Sequence, residues 1–267
     1  MKADKKVAVH FTHNELIGAT NPVTVNLIGA GGTGSKVVPA LVAMNHSLLA
    51  MNHPGLSVRV WDDDVVTEAN LGRQLFAECE LGLYKSVALA NRANRWSGSN
   101  WKAETVKFQK DSERVSEHGR VAIYLSCVDN VDTRFEVAST LDKLNKDYLN
   151  NTPKYWMDFG NGKRSGQVIL STVGEIKQPK SRKYETVARL PFITDEFGDL
   201  LRESEAKDDT PSCSVADALA KQDLYINSAI ATLGCELLWR LFRYGMTEYR
   251  GFFLNLKDFR TNPIKVA

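Results

Sequence analysis

The chain has 267 residues, of which 43% are hydrophobic and 25% are charged. That length and composition suffice for a substantial buried core, which excludes an intrinsically disordered protein. The 34 basic and 32 acidic residues leave a formal net charge of +2, so no strong field draws the molecule to nucleic acid or to an anionic membrane. Residues 1–16 lack the apolar run of a signal peptide, and no stretch approaches the ~18 apolar residues of a spanning helix, so we expect a cytoplasmic protein.

The first half of the chain alternates predicted strands and helices. After a leader, residues 1–22, that the pattern does not place, the apolar run 23–28 (VTVNLI) predicts a buried strand. It leads directly into the glycine-rich segment 29–34 (GAGGTG), after which a helix is predicted over 35–51. A Pro-Gly turn then precedes a second predicted strand at 57–62 (SVRVWD). This succession is typical of a strand-helix-strand unit with parallel strands.

The same alternation continues along the chain. We predict a helix over 82–95, strands at 103–108 and 121–127 with a short helix between them, and further strands at 155–159 and 167–173. Strands that alternate with helices pair in parallel, because each helix carries the chain back to the edge at which the next strand starts. The sequence therefore predicts an α/β protein with a Rossmann-like, doubly wound, mainly parallel sheet.

The rest of the chain extends this predicted nucleotide-binding core, which covers residues 23–173. Segment 174–213 contains the charged runs KQPKSRK and DEFGDLLRESEAKDD and predicts a long surface connection, either solvated or docked against a partner protein. Helical spacing of apolar residues over 214–244 predicts one or two packed helices, and the closing EYRGFFLNLKDF predicts a hairpin or an edge strand. We expect one domain, 1–267, in which C-terminal strands and helices (214–267) extend the sheet.

The glycine-rich segment between the first predicted strand and helix indicates a nucleotide site. Glycine lets the backbone approach a phosphate closely, and the N-terminus of the following helix presents N–H groups and the positive end of its dipole. Gly29, Gly31, Gly32 and Gly34 are therefore candidate phosphate-binding residues. Such a turn occurs in proteins that bind NAD, FAD, S-adenosylmethionine or ATP, and also as a purely structural turn, so it does not select the ligand.

Asp62 ends the second predicted strand, where a carboxylate can accept hydrogen bonds from both ribose hydroxyls. Its alternative role is that of a turn or helix-capping aspartate in the run 62–64. We favour ribose binding, because the predicted fold places the ribose directly after the second strand.

Clustered polar and cationic side chains distinguish a triphosphate from a dinucleotide. Arg73 and Lys85, in the segments NLGRQ and GLYK, are predicted to neutralise a leaving pyrophosphate. Asn70 and Gln74 can donate hydrogen bonds to its oxygens. Taken singly, each is more typical of a solvated surface side chain. As a set they favour ATP over NAD.

The segment 126–134 (SCVDNVDTR) lies at the carboxyl end of the strand predicted at 121–127. Open parallel sheets bind their ligands at that edge. Asp129 is predicted to hold Mg²⁺ between phosphates, and Arg134 to pair with acids or to pin the following helix. The alternative role of Asp129 is an N-cap of that helix.

With these residues in place, the sequence resembles a known family. GAGGTGS, the D-x-D of Asp62 and Asp64, NLGRQ, the GLYK lysine and CVDNVDTR occur in the order and approximate spacing of the ThiF, MoeB and HesA family, related to eukaryotic ubiquitin-activating enzymes. The resemblance is strong over 23–134 and weaker through GNGKRSGQV and PSCSVADA to the last helix. By position, it implies ribose at Asp62, phosphates at Asn70, Arg73, Gln74 and Lys85, magnesium and catalysis at Asp129, and further cofactor contacts at Asp64 and Asn130.

The resemblance implies a reaction as well as a site. We expect ATP-dependent adenylation with Mg²⁺ as cofactor, in which the C-terminal carboxylate of a ubiquitin-like or sulfur-carrier protein attacks the α-phosphorus. A homodimer is expected, as in relatives. The length and the charged connection most resemble the ThiF-type proteins of bacterial PRTRC gene systems.

Two features depart from the family pattern. No arginine precedes Arg59, whereas relatives place an arginine from the partner subunit's N-terminal segment on the phosphates. Lys5 or Lys6 can replace it only as a point charge, without the bidentate fork. Paired CxxC ligands are also missing, so we predict no structural zinc.

Four cysteines are scattered along the chain. The segment around Cys213 resembles the family segment whose cysteine takes up the activated acyl group or forms a sulfur-transfer adduct. A position just before a helix favours the thiolate, but nearby acids oppose it and a lone cysteine is commonly a small buried residue, so both roles stay open. Cys127 and Cys235 lie in apolar stretches and are predicted core residues, and Cys79 is predicted to be inert.

Three other functions remain open. Relatives also adenylate small carboxylates or modified tRNA bases, although the balanced charge argues against tRNA. An NAD-dependent oxidoreductase would use the glycine turn and Asp62 but leaves Arg73, Lys85 and Asp129 unexplained as a set. A non-catalytic nucleotide-binding scaffold would not need the complete motif set.

Overall fold

The computed structural model describes residues 6–108, 121–147, 153–205 and 222–267. Its strands, in chain order, are β1 (Val7–Phe11), β2 (Val23–Ile28), β3 (Leu56–Trp61), β4 (Lys102–Glu104), β5 (Ile123–Ser126), β6 (Tyr155–Asn161), β7 (Ser165–Thr172), β8 (Tyr184–Thr186), β9 (Met246–Thr247), β10 (Tyr249–Asn255) and β11 (Arg260–Lys265). Its helices are α1 (Asn14–Ile17), α2 (Gly34–Ala50), α3 (Lys85–Ser97), α4 (Val131–Asp147), α5 (Ile193–Glu205) and α6 (Ile226–Tyr244), and short 3-10 turns span Glu68–Asn70 and Glu78–Glu80. None of the helices in these ranges is long and apolar enough to cross a membrane.

Eight strands form one central sheet in the order β11-β10-β7-β6-β5-β2-β3-β4. The five strands from β6 to β4 pair in parallel, whereas β7, β10 and β11 add an antiparallel extension. This confirms the predicted Rossmann-like, mainly parallel sheet extended by C-terminal strands. Because β2 lies between β3 and β5, the residues that follow these three strands meet at one edge, where an open parallel sheet binds its ligands.

Apolar side chains cover both faces of the sheet, as expected for buried parallel strands. Leu27 and Met157 point into the larger core, which the helices α2 and α6 cover. Ile28 and Trp156 point into the second core, which α4 and α5 cover. The sheet is thus held between two helical layers, and only its edges remain for a ligand.

The predicted elements of the core recur with small shifts at their ends, and one strand is shorter than predicted. The strand predicted at 103–108 ends at Glu104. The reason is pairing: β4 is an edge strand whose only neighbour in the described sheet is β3, and Glu104 lies opposite Trp61, the last residue of β3. Beyond Glu104, the described residues offer no strand with which the chain can pair. The short helix predicted after residue 108 falls outside the described residues.

The charged connection contains more structure than the sequence predicted. Its described part, residues 174–205, includes β8 and α5, and it buries Ile176 and Leu190 at 3% and 0% exposure. Ile176 stands singly beside charged residues, and Leu190 lies in the short run VARLPFI, which is interrupted by Arg189 and Pro191, so neither belongs to a regular periodic pattern. The remainder of the connection, 206–213, lies outside the described residues.

The leader, which the sequence did not place, supplies the middle strand of a small second sheet in the order β8-β1-β9. His10 on β1 is fully buried. Its Nδ1 lies 2.7 Å from the Val187 carbonyl oxygen and its Nε2 lies 3.0 Å from the Tyr155 hydroxyl. Burial lowers the pKa of His10, and the Val187 carbonyl opposes that shift. The N-terminal strand is therefore tied to the start of β6 by a neutral imidazole.

This histidine is expected to couple folding to pH. In the unfolded chain His10 takes up a proton near pH 6.5, whereas in the folded protein its pKa is lower. The contribution of neutral His10 to the free energy of unfolding is therefore complete above pH 6.5 and is lost as the pH falls toward the folded pKa. We expect the free energy of unfolding, measured in urea, to fall between about pH 7.5 and about pH 5.5 by more in the wild type than in His10→Gln. His46→Gln, at an exposed position of α2, is the control and should keep the wild-type pH dependence. Equal pH dependence in the wild type and His10→Gln would contradict this role.

Candidate active site

The turn between β2 and α2 is packed so closely that two of its glycines admit no side chain. A Cβ on Gly34 would lie 1.9 Å from the carbonyl oxygen of Gly29. Gly29 itself has a φ of +90°, and its Cβ would lie 2.7 Å from the carbonyl oxygen of Cys127. The N–H of Gly29 donates to the carbonyl of Trp61 at 2.9 Å. Gly29 and Gly34 therefore fix the path of the β2–α2 turn, which lies between the ends of the neighbouring strands β3 and β5.

The other two glycines of the turn have different surroundings. A Cβ on Gly32 would lie 2.8 Å from Nδ2 of Asn227 on α6, so this glycine makes room for a helix. At Gly31, no heavy atom of the described residues lies within 4 Å of the Cβ position. All four glycines were predicted to bind phosphate, but only Gly31 opens onto free space.

Asp62 follows β3 and reaches back to the glycine turn. One carboxylate oxygen accepts from the N–H of Ala30 at 2.6 Å, and the other accepts from the N–H of Asp64 at 3.0 Å. Burial raises the pKa of Asp62, while the Ala30 N–H and the charge of Lys85 oppose the rise. Each carboxylate oxygen has a second lone pair, so the group can still accept hydrogen bonds from a ribose.

Lys85 begins α3 and is 7% exposed. Its Nζ lies 2.7 Å from a carboxylate oxygen of Asp64, whose side chain is 69% exposed. Lys85 was predicted to contact a pyrophosphate and Asp64 to contact the cofactor, whereas the structure pairs the two with each other. An ammonium has three donors, so this ion pair leaves the Lys85 charge able to contact a phosphate. Both assignments stay predictions.

Arg73 and Gln74 carry buried polar atoms that have no hydrogen-bond partner among the described residues: Nε of Arg73 and Oε1 of Gln74. Gln74 is 6% exposed. The segment is fixed beside the first turn of α2, because the N–H of Leu75 donates to the Ser35 hydroxyl at 3.1 Å. Buried polar groups are nearly always paired, so unpaired ones at a helix N-terminus fit a site that a polar ligand completes.

Asn70, also predicted to contact phosphate, is used within its own turn. Its Oδ1 accepts from the N–H of Thr67 at 2.9 Å and lies 3.1 Å from the Thr67 hydroxyl. This hydrogen bonding fixes the start of the segment that carries Arg73. The amide nitrogen of Asn70 stays a predicted phosphate contact.

The loop after β5 carries Asp129 and Asn130, and the structure shows that these two residues have different roles. Asn130, not Asp129, caps α4: its Oδ1 accepts from the N–H of Thr133 at 2.7 Å. Asp129 is exposed, and its charge acts on Arg73. Burial lowers the pKa of Arg73 and Asp129 opposes that shift. The capping role is thus filled by Asn130, and the Asp129 carboxylate stays free of it.

Sequence reasoning missed the polar residues behind the turn. The Thr33 hydroxyl lies 2.9 Å from Oδ1 of Asn227 and 3.3 Å from Oδ1 of Asn161 at the end of β6. Asn227 also donates to Gln222 at 3.4 Å, and Gln222 is hydrogen-bonded to Arg73. Asn227 is 1% exposed and lies on the buried face of the last helix. A polar residue among the apolar positions of that helix was the one signal in the sequence that could have indicated this contact.

A model of the ThiF family matches residues 4–266 of the sequence. The chain belongs to the ThiF family. The match covers every motif on which the resemblance rested, from the glycine turn to the loop that carries Asp129, and it extends through the C-terminal helix and hairpin. No curated protein matches the sequence.

Solved structures share this ThiF-family fold. Selenomethionine PaaA aligns with a TM-score of 0.57 at 16% identity, over 91% of this chain and 64% of PaaA. MccB of E. coli aligns with a TM-score of 0.57 at 12% identity, over 95% of this chain and 64% of MccB. MccB with ATP aligns with a TM-score of 0.55 at 12% identity, over 95% of this chain and 65% of that chain. At such identities the likeness shows the fold alone, and this chain spans less than two thirds of either protein.

Two of the three described cysteines, Cys127 and Cys235, are poor nucleophiles. Cys235 is buried on α6, and burial raises the pKa of its thiol to about 12. Cys127 packs partly buried against the larger core, and burial raises the pKa of its thiol well above the usual value. Cys79 is exposed in the second 3-10 turn. Cys213 lies outside the described residues, so its catalytic role stays a prediction.

The contrast between the two central glycines can be tested by stability alone. Gly31→Ala adds a methyl group to open space and should change the free energy of unfolding by no more than about 0.5 kcal/mol. Gly32→Ala pushes a methyl group into Asn227 and should destabilise the protein by about 1–3 kcal/mol, since overpacking displaces α6. Urea denaturation of the two variants measures the difference. Equal stabilities would contradict the packing role of Gly32.

Proposed function

We propose that this ThiF-family protein adenylates the C-terminal carboxylate of a ubiquitin-like or sulfur-carrier protein with ATP. The observation that carries the proposal is that the charge of Asp129, the predicted magnesium-binding residue, acts on Arg73, the predicted phosphate-binding residue. In this proposal Arg73 binds phosphate oxygens, Asp129 binds their counter-ion, and the open position at Gly31 leaves space for the phosphates.

The order of the strands supports one direction for the proposed nucleotide. Asp62 follows β3 on one side of the glycine turn, and Asp129 follows β5 on the other. A ribose on Asp62 would place the phosphates over Gly31 at the N-terminus of α2, and the far end of the triphosphate would lie toward Asp129. NAD would also fit the ribose and the turn, but it has no use for Arg73 and Asp129 as a pair. Solved structures of MccB include ATP and AMPCPP with MccA, which supports an ATP site in this fold.

The side chains present fit a magnesium ion held mainly by phosphate. No group of three or more His, Cys, Asp or Glu residues in the described part of the chain could form an all-protein metal site. Mg²⁺ is commonly held by one or two carboxylates together with phosphate oxygens and water. The exposed carboxylate of Asp129 meets that need. When bound there, the ion would neutralise charge on the phosphate oxygens.

The proposed chemistry needs alignment and charge neutralisation rather than a base. The acceptor carboxylate is already ionised at neutral pH. One of its oxygens forms a bond to the α-phosphorus, the bond from that phosphorus to the β-phosphate oxygen breaks, and pyrophosphate leaves with the electron pair. Arg73 lowers the barrier by attracting the leaving group, and Lys85 contributes its remaining donors.

The acceptor and the assembly are part of the same proposal. A ubiquitin-like or sulfur-carrier acceptor rests on the motif resemblance. Solved structures of MccB with MccA support a second molecule bound to this fold. We also propose a homodimer, a cytoplasmic location, and transfer of the acyl group to Cys213 after adenylation.

The proposal predicts that Asp129→Ala loses ATP–pyrophosphate exchange while its fold is retained. Removing one such electrostatic contact costs on the order of a hundredfold or more in rate. The assay would use small Gly-terminated proteins encoded beside this one as acceptors, with pyrophosphate release monitored in parallel. Asp132→Ala, in the first turn of α4, is the matched control and should keep wild-type exchange. Near-normal exchange in Asp129→Ala would remove this residue from the mechanism.

A further inference from the structure

Asp129 lies between two carbonyls that are held by one side chain. Arg134, in the first turn of α4, is 5% exposed. Its Nη2 donates to the carbonyl of Val128 at 2.8 Å, and its Nη1 donates to the carbonyl of Asn130 at 3.2 Å. A single guanidinium therefore fixes the peptide on either side of Asp129.

The guanidinium is in turn anchored to the neighbouring strand. Its Nε donates to both carboxylate oxygens of Asp158 on β6, at 3.2 Å and 3.1 Å. Asp158 is 1% exposed and also accepts from the Ser126 hydroxyl at 2.6 Å. The indole N–H of Trp156 donates to that hydroxyl at 2.7 Å. The anchor is thus a connected, buried polar network in which the carboxylate itself is held from two sides.

The strand is shaped to receive this side chain. A Cβ at position 160 of β6 would lie 3.0 Å from Nη2 of Arg134 and 2.2 Å from Nε2 of Gln167, so Gly160 leaves space in which both side chains lie close to the strand. Nη2 also lies 3.4 Å from the Phe159 carbonyl. The Arg134 guanidinium thus contacts the backbone of β6, the Asp158 carboxylate on that strand and the loop after β5.

Stability is a poor explanation for this arrangement. A buried ion pair loses most of its attraction to the cost of removing both charges from water, and apolar replacements are often neutral or stabilising. What a guanidinium gives that an apolar side chain cannot is a fixed fork of donors, which reaches a carboxylate and two separate carbonyls at once. A lysine could keep the ion pair with Asp158 but could not hold both carbonyls.

We propose that Arg134 is a positioning residue for Asp129. Through the carbonyls of Val128 and Asn130 it fixes the backbone on both sides of Asp129 and so holds the exposed carboxylate in one position. The inference rests on the proposed function and deepens it, because it names the interaction that keeps the magnesium-binding carboxylate in place.

The test compares ATP affinity with and without Mg²⁺, measured by calorimetric titration. In the wild type, Mg²⁺ should strengthen ATP binding through Asp129. Arg134→Lys should reduce that gain by about tenfold or more, the usual effect of removing a group that orients a metal ligand. Its affinity for metal-free ATP should stay within about twofold of the wild type, and Asp129→Asn should show the same pattern.

A matched control separates positioning from folding. Arg250 on β10 is also buried, at 3% exposure, and is paired with Glu196 on α5, away from the loop that carries Asp129. Arg250→Lys should lower stability without changing the gain from Mg²⁺. Asp158→Asn keeps hydrogen bonding to Arg134 and removes the charge, so it is a second and milder test. It should reduce the strengthening of ATP binding by Mg²⁺ less than Arg134→Lys does.

Two results would overturn the inference, and they differ in what else they affect. If Arg134→Lys and Asp158→Asn keep the wild-type gain from Mg²⁺, Arg134 supports only the fold, and the proposed function is untouched. If Mg²⁺ fails to strengthen ATP binding in the wild type itself, the magnesium role of Asp129 falls together with the positioning role of Arg134.

Discussion

The close approach of Gly34 to the carbonyl of Gly29 is the constraint on which the rest of the site depends. It turns the chain from β2 into α2 with no space for a side chain between them. Three neighbours are then tied to that turn. Asp62 accepts from the Ala30 N–H, Thr33 contacts the ends of β6 and α6, and Ser35 accepts from the segment that carries Arg73. A side chain at either glycine would displace all three.

The polar groups around this turn fall into two kinds, and the difference gives the site its chemistry. Asn130, Asn227 and the Thr33 hydroxyl are used within the protein and build the scaffold. Arg73 and Gln74 keep buried atoms without partners in the described structure. A buried polar atom without a partner costs about 1–3 kcal/mol, so these two residues differ from the scaffold residues in what they leave unsatisfied.

Local patterns explain what could be predicted from the sequence. The succession β2, glycine turn, α2 and β3 lies within residues 23–61, and its apolar runs and glycines mark each boundary to within a few residues. Asp62 and Asp129 could be placed because residues that follow parallel strands share one edge. The family resemblance to ThiF rested on the same segments, which is why it held.

What could not be predicted depends on contacts across long stretches of chain. Asn227 is hydrogen-bonded to Thr33 across 194 residues of sequence, and the residues around either one do not indicate this contact. Arg134 was predicted to pair with an acid or to pin a helix, but its acid, Asp158, stands on the next strand. Asp129 and Asn130 are adjacent and both can cap a helix, so only the backbone shows which of them does.

The most direct test of the central claim is a calorimetric titration of ATP and of NAD⁺ into the wild type and Gly31→Ala. The account predicts that the wild type binds ATP and not NAD⁺. It also predicts that Gly31→Ala, although folded, binds ATP at least about tenfold more weakly, because the added methyl group occupies the space through which the phosphates approach. Tighter binding of NAD⁺ than of ATP, or wild-type ATP affinity in Gly31→Ala, would contradict it.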